Sequence, residues 1–192
     1  MRRSVLNPVQ KAESTAAYSM AQNFVIRSAL ESDAAAFRDL RLEALRDNPT
    51  AFAASYEDQA DLPDEHWQER IKTNVDNPTT AIMFAVADQS VVGMTGIYRV
   101  DSPKLSHIGN IWGVYVRPGW RNAGVASALI NACVDWAKGY NLSKVKLAVV
   151  TTNGDAVHCY LRCGFQVYCV EPDAIRYDGK SYDELLMARR LG

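Results

Sequence analysis

The sequence predicts one α+β domain with a mixed β-sheet. Three observations carry this expectation. Short β-branched and apolar runs bounded by turn residues recur along the chain, as strands do. Between some of them lie stretches whose apolar residues fall three and four apart, as on one face of a helix. Finally, "IWGVYV" passes into "GVASALINACVDWA" through a proline, a glycine, two arginines and an asparagine, so a strand turns almost directly into a long helix.

Taken in order, "NFVIRSA" (residues 23–29) reads as a first strand. Ser32 or Asp33 can cap the helix that follows, whose Phe37, Leu40, Ala44 and Leu45 share one face. Pro49 disfavours helix at Asn48 and ends it. "DLPDEHWQERI" begins a second helix: Asp61 can cap, Pro63 suits the first turn, and Trp67 and Ile71 lie one turn apart. "TAIMFAVA" and "VVGMTGIYRV" flank the short turn "DQS" and predict an antiparallel hairpin. "LSHIGNIWGVYV" is a third extended run. The long helix carries Val125, Leu129, Cys133 and Trp136 on one stripe, with Gly139 where it can end. "KVKLAVV" ends wholly apolar, which suits the centre of a sheet. "GDAVHCYLRC" is a short helix closed by Gly164. "FQVYCV" and "YDELLMARRL" are the last strands, joined through "YDGKSY". Residues 1–22 read as an N-terminal arm or extension, and residues 23–192 as the folded domain.

Composition narrows the function. The 192 residues are 48% hydrophobic and 22% charged, with a formal net charge of −1. No basic excess draws the chain to nucleic acid or a membrane surface. No apolar run reaches the roughly 20 residues of a membrane span. "MRRSVLNPVQKAESTAAYSM" has a basic start without a continuous apolar core, so it reads as an arm rather than a secretory or organelle signal. Of the four cysteines none forms a C-x-x-C pair. Cys159 and Cys163 are four apart beside His158, but no carboxylate or second histidine completes a zinc set, so they read as small apolar filler and no metal is expected. A cytoplasmic protein is expected.

The strand–turn–helix carries the chemistry. The first N–H groups of a helix lack intrahelical partners, and the macrodipole makes that end mildly positive, so an anion fits there. Gly124 lets a ligand approach the backbone closely, and Ala126 keeps the next inward position small. Asn122, Ala123, Gly124, Val125 and Ala126 could aim several N–H groups at one point, with Arg121 adding charge. The alternative is a helix start made small for close packing. Neither G-x-x-x-x-G-K-[ST] nor G-x-G-x-x-G is present.

"VRPGWRNAGVASALI" resembles the acyl-CoA pyrophosphate loop of the GNAT superfamily of N-acetyltransferases, V-x-P-x-x-R-x-x-G-x-G/A, through Val116, Pro118, Arg121, Gly124, Ala126 and Leu129. Asn122 stands where many members have glycine, and Ala126 replaces the second glycine. A second stretch, "NGDAVHCYLRCGF", is similar to that family's N-x-x-A-x-x-x-Y-x-x-x-G-F through Asn153, Ala156, Tyr160, Gly164 and Phe165. The resemblance extends from Asn23 to the C-terminus. It implies a mostly antiparallel central sheet flanked by helices, with splayed strands forming an acyl-CoA groove. It also implies acetyl-CoA as cosubstrate, no metal, and transfer of the acetyl group to a primary amine of a small molecule or peptide N-terminus. Val114, Tyr115 and Val116 would meet the pantetheine arm through their backbone, a relative of strand addition. Asn153 would hydrogen-bond the pantetheine or cap its helix, Tyr160 would be the general acid, and the N–H of Val116 or a neighbour would receive the oxyanion. A homodimer is implied as well, with the last strands and the arm as exchange elements.

The base is left open. The strand "HIGNIWGVYV" has no acid; His107 at its start could serve, or is an exposed strand-end histidine, and a water chain ending at a backbone carbonyl or Glu31 would also serve. His66 and His158 read as surface or packing residues. The acceptor pocket implied by the resemblance lies over "NPTAFAASYEDQADLPDEHW", whose Phe52, Tyr56, Glu57, Asp58, Asp61, Asp64 and Glu65 either attract a cationic amine or form a solvated loop and a helix start. The competing function is an acyl-CoA sensor with little or no turnover.

Overall fold

The computed structural model describes residues 23–192, and the arm expected over residues 1–22 lies outside the described residues. One seven-stranded sheet runs in the order β1-β2-β3-β4-β5-β7-β6. Its strands are β1 (Val25–Ser28), β2 (Thr80–Ala87), β3 (Ser90–Arg99), β4 (Ile108–Val116), β5 (Lys144–Val150), β6 (Gln166–Tyr177) and β7 (Lys180–Arg190). Only β4 and β5 pair in parallel; every other neighbouring pair is antiparallel. Two hairpins fix the register by turn chemistry. Asp88 and Gln89 (φ 46° and 65°) and Asp178 and Gly179 (φ 49° and 69°) are all left-handed, as two-residue turns that match strand twist require.

The helices are α1 (Ala34–Asp47), α2 (Glu57–Ala60), α3 (Asp64–Lys72), α4 (Val125–Gly139) and α5 (Gly154–Arg162). β2 is apolar on both faces because both are covered. Ala81, Met83, Ala85 and Ala87 join the core under α4 and α5, while Ile82 and Phe84 join the core under α1 and α3. In the second core Phe37 meets Trp67 edge-on at 5.7 Å. Phe37, Leu40, Ala44, Trp67 and Ile71 are each at most 1% exposed. Each large side chain so buried contributes about 1.5–3 kcal/mol. In the first core Val125, Leu129 and Cys133 form the buried stripe of α4, with Trp136 packed partly against it. α5 ends as Gly164 enters the left-handed region (φ 82°), with Phe165 N–H bonded to Tyr160 C=O and Gly164 N–H to Leu161 C=O.

Three local expectations change. Asp33 stands at the start of α1 but does not cap it. Its carboxylate turns back to accept the Leu30 N–H (2.7 Å) and a two-toothed bond from Arg27 (2.6 and 2.8 Å), a stronger set of charged bonds. Asp61 does not cap α3; Pro63 occupies that position, and the short helix α2 forms in the segment read as loop. β6 runs on through "EPDAIRY". Pro172 is tolerated because β6 is the edge strand, and its register breaks between Glu171 and Ile175, where Asp173 has φ 55°.

Candidate active site

The parallel ladder between β4 and β5 is short. Ile108, Gly109 and Asn110 pair with Lys144, Val145 and Lys146, and the pairing then stops. Beyond it the two strands diverge and leave a cavity of about 500 Å³, lined by Ile111, Trp112, Gly113, Val114 and Val116 on one side and Leu147, Ala148, Val149 and Val150 on the other. The cause lies in β4 itself. Trp112 sits opposite Gly96 and Tyr115 opposite Met94, so β4 carries one residue more than β3 between those pairs. Gly113 takes the left-handed conformation there (φ 67°), and buried Thr95 donates its hydroxyl to the Trp112 C=O at 3.1 Å. Such a bulge bends the strand and ends regular pairing. A Cβ at Gly96 would overlap the Trp112 ring, which lies across that glycine.

The divergence exposes backbone groups. Arg117 donates its N–H to Val92 C=O at 2.9 Å. Hydrogen-bonding residues alternate along an antiparallel edge, so Val116, opposite Gly93, turns its N–H away from β3 toward the side β5 has left. Val114 and Val116 line the cavity. Tyr115 between them does not, because side chains alternate. Its hydroxyl donates toward Glu43 (3.0 Å) and Asp47 (3.1 Å) on α1. Burial, then those carboxylates, raise its pKa.

Arg121, Asn122, Gly124, Val125 and Ala126 also line the cavity at the start of α4. Gly124, with φ 83°, is the residue before the helix, and no side chain caps it. A Cβ at Gly124 would meet nothing within 4 Å, so this approach to the backbone is open. Asn122 is left-handed too (φ 62°), which explains how asparagine replaces a glycine: it is among the few other residues that accept this region. Arg121 Nε donates to Val116 C=O at 3.1 Å and so ties the helix start to the strand end. Ala123 does not line the cavity; it packs on the core under α4.

On the facing element, Asn153 caps α5 by accepting the Ala156 N–H at 3.3 Å, and it lines the cavity as well. Tyr160, 6% exposed, lies two turns further on and also lines it. Burial, then the neighbouring thiols of Cys159 and Cys163, raise its pKa, with no hydrogen bond contributing, so its hydroxyl keeps its proton at neutral pH.

Sequence reasoning missed several lining residues. Ser127 lies one turn past Gly124, a spacing that could have found it, and its hydroxyl is 3.3 Å from the Cys159 sulfur. Gly113 within a strand run was a bulge signal. Arg41, which stands behind the lining Phe52 and Gly113 and does not itself line the cavity, is a further omission. It falls among Phe37, Leu40, Ala44 and Leu45 on the apolar stripe of α1, and it is only 5% exposed.

Phe52 apart, the remaining candidates lie away from the cavity, His66 and His158 as the sequence reading has them. His107 is exposed at the paired end of β4, where its carbonyl accepts from Ser143 and Lys144, and neither it nor Asn110 nor Glu31 lines the cavity. His66 packs beside Trp67 and His158 is exposed on α5. Of the candidate acceptor residues in the loop only Phe52 lines the cavity, together with Asn48 and Ala51 of the same segment. Glu57, Asp58, Asp61, Asp64 and Glu65 are exposed around the starts of α2 and α3, where the helix dipole and solvent hold them, and Asp64 pairs with Arg38 at 2.9 Å.

Known proteins resemble this chain in sequence and in fold. The model of the acetyltransferase (GNAT) family matches residues 34–165. The L-amino acid N-acetyltransferase AaaT of Escherichia coli (strain K12) is 32% identical over 136 residues, 68% of this chain and 80% of that protein. Among solved structures, a GNAT-family acetyltransferase from Streptococcus pneumoniae superposes with a TM-score of 0.79 at 23% identity, over 88% of this chain and 100% of that one. The yncA protein of Salmonella typhimurium, solved with its cofactor acetyl-CoA, superposes with a TM-score of 0.76 at 18% identity, over 88% of this chain and 95% of that one.

Proposed function

The chain belongs to the acetyltransferase (GNAT) family and is an acyltransferase, and on that footing we propose that it moves the acetyl group of acetyl-CoA to the primary amine of a small molecule or peptide N-terminus. The observation that carries this reading is one cavity lined by the uncapped start of α4, the freed edge of β4 and the buried hydroxyl-bearing Tyr160. The AaaT relative, whose name specifies L-amino acids, makes these the first acceptors to try.

The residues present fit acetyl-CoA. The open backbone at Gly124, with the N–H groups of the first turn of α4 and the charge of Arg121, would hold the pyrophosphate. Val114 and Val116 would meet the amide-bearing arm along the strand edge. The bound thioester supplies an electrophilic carbonyl and a leaving thiolate. The N–H of Val116 stabilises negative charge on the carbonyl oxygen as the amine adds. Tyr160, neutral because it is buried, gives its proton to the sulfur as the C–S bond breaks. The proton of the amine passes to solvent, since β4 carries no carboxylate to receive it.

A homodimer is proposed for the same chain, on the exposed Val167, Tyr168 and Val170 of edge strand β6, and the cytoplasm as its location. The function is tested by incubating the protein with acetyl-CoA and a panel of amino acids, polyamines, amino sugars and short peptides. Release of free CoA thiol with at least one amine is expected. CoA binding without thiol release across the panel would favour a sensor instead.

A further inference from the structure

The mechanism leaves one buried charge without a role. Arg41 on α1 is 5% exposed. Its Nε makes a single long bond, 3.4 Å to Gln59 Oε1, and its Nη1 is buried without a partner. No ion pair holds it among the described residues: Glu43 is taken by Arg117 and Tyr115, Asp47 by Tyr115 and Arg46, and Asp64 by Arg38. Its charged neighbour is another cation, Arg70, half-buried on α3. Burial, then Arg70, lower the pKa of Arg41 to about 10, so it is still charged at neutral pH. An unpaired buried guanidinium is destabilising by several kcal/mol. A fold that keeps one, with a second cation beside it, is arranged for an anion that arrives from outside.

The position of Arg41 says where that anion would lie. Its guanidinium carbon is 5.0 Å above the Phe52 ring, and that of Arg70 is 5.2 Å above the Trp112 ring. Its Nη1 is 3.8 Å from where a Cβ at Gly113 would stand, so a side chain at Gly113 would come up against it. Phe52, Trp112 and Gly113 all line the cavity, and Gly113 is the point where β4 leaves the regular ladder.

We propose that Arg41, with Arg70 behind it, receives the carboxylate of the acceptor, which is therefore an amino acid or another amine with a carboxylate close to the reacting nitrogen. This rests on the acetyl-transfer reading above. A peptide N-terminus carries an amide at that place and a polyamine carries a further positive charge, so both are disfavoured.

The test compares a free amino acid with its carboxamide, an acceptor that differs only in the anion. For the wild type kcat/KM should be about 10²-fold or more higher for the acid. In the presence of CoA the acid, but not the amide, should raise the melting temperature. In Arg41→Met the preference should collapse to within a few-fold while CoA affinity is kept. That variant removes an unpaired buried charge and should melt no lower than the wild type. If the wild type acetylates amides, polyamines or peptides as well as it does free amino acids, the carboxylate assignment is overturned while acetyl transfer stands. If it binds CoA and acetylates no amine, the transfer reading falls and this inference with it.

Discussion

Replacing Gly124 separates backbone strain from charge. The residue has φ 83° and a Cβ there meets nothing within 4 Å, so a side chain suffers no clash in the protein itself. The left-handed conformation costs an ordinary residue about 1–2 kcal/mol. In a domain of this size that lowers the melting temperature by roughly 2–8 °C. Gly124→Glu and Gly124→Lys share this strain and bring similar bulk, but with opposite charge. A unit charge about 4 Å from a phosphate charge is worth about 1 kcal/mol in solvent-like surroundings, the right regime for an exposed turn. Against two phosphates that becomes about 2 kcal/mol, or about 30-fold in affinity. Gly124→Glu should therefore bind CoA at least ~30-fold more weakly than the wild type, while Gly124→Lys keeps more of the affinity at the same melting temperature. Calorimetric titration with CoA and thermal melts read both quantities. If both variants match the wild type, or bind equally poorly, the pyrophosphate does not lie at this helix start.

The Arg27–Asp33 pair ties β1 to the start of α1, and its bonds hold the Asp33 carboxyl below the usual carboxylate range, chiefly through Arg27. A depressed folded pKa contributes stability above the unfolded value of about 3.9, which is lost as pH falls through the folded value. Asp33→Asn should thus cost about 1–2 kcal/mol in urea melts at pH 7, with the gap closing below about pH 4; equal stability at pH 7 would refute the role given to the pair. Light scattering at micromolar concentration should give a dimer mass, and Tyr168→Lys on exposed β6 should shift it toward monomer, whereas a wild-type monomer would end that proposal.

Much of the site was legible because its residues serve local backbone needs that sequence records directly. Gly124 and Asn122 mark left-handed positions at a helix start, and Asn153 and Gly164 mark the two ends of α5. Tyr160 came from the resemblance of "NGDAVHCYLRCGF" to the family's second motif; its place on the helix alone suits a packing tyrosine equally well. The acceptor end was not legible in the same way. Acids crowd "SYEDQADLPDEH", but proximity in sequence does not aim side chains, and the first turns of α2 and α3 point those acids at solvent. Arg41, stacked over the lining Phe52, is concealed in an apolar stripe where a hydrophobic reading passes over it. The bulge was signalled only by Gly113 within the run "IWGVYV", and the pairing with β3 fixes where the extra residue lies. The length of β6 was underestimated because Pro172 reads as a stop, which it is not on a sheet edge.

The central claim is that Tyr160 protonates the departing thiolate, and the single-turnover rate of Tyr160→Phe tests it most directly. The substitution removes one oxygen and leaves the ring packed beside Phe165, whose centroid is 6.4 Å away. CoA affinity should stay within a few-fold, since the pyrophosphate site is elsewhere. The chemical step, measured with enzyme in excess over acetyl-CoA and a saturating amine, should slow about 10²-fold. The loss should appear in kcat more than in KM, because the bond forms as charge develops on sulfur. It should be partial, since a thiolate leaves to some degree unaided. A wild-type single-turnover rate in Tyr160→Phe would contradict the account and reduce Tyr160 to a packing residue.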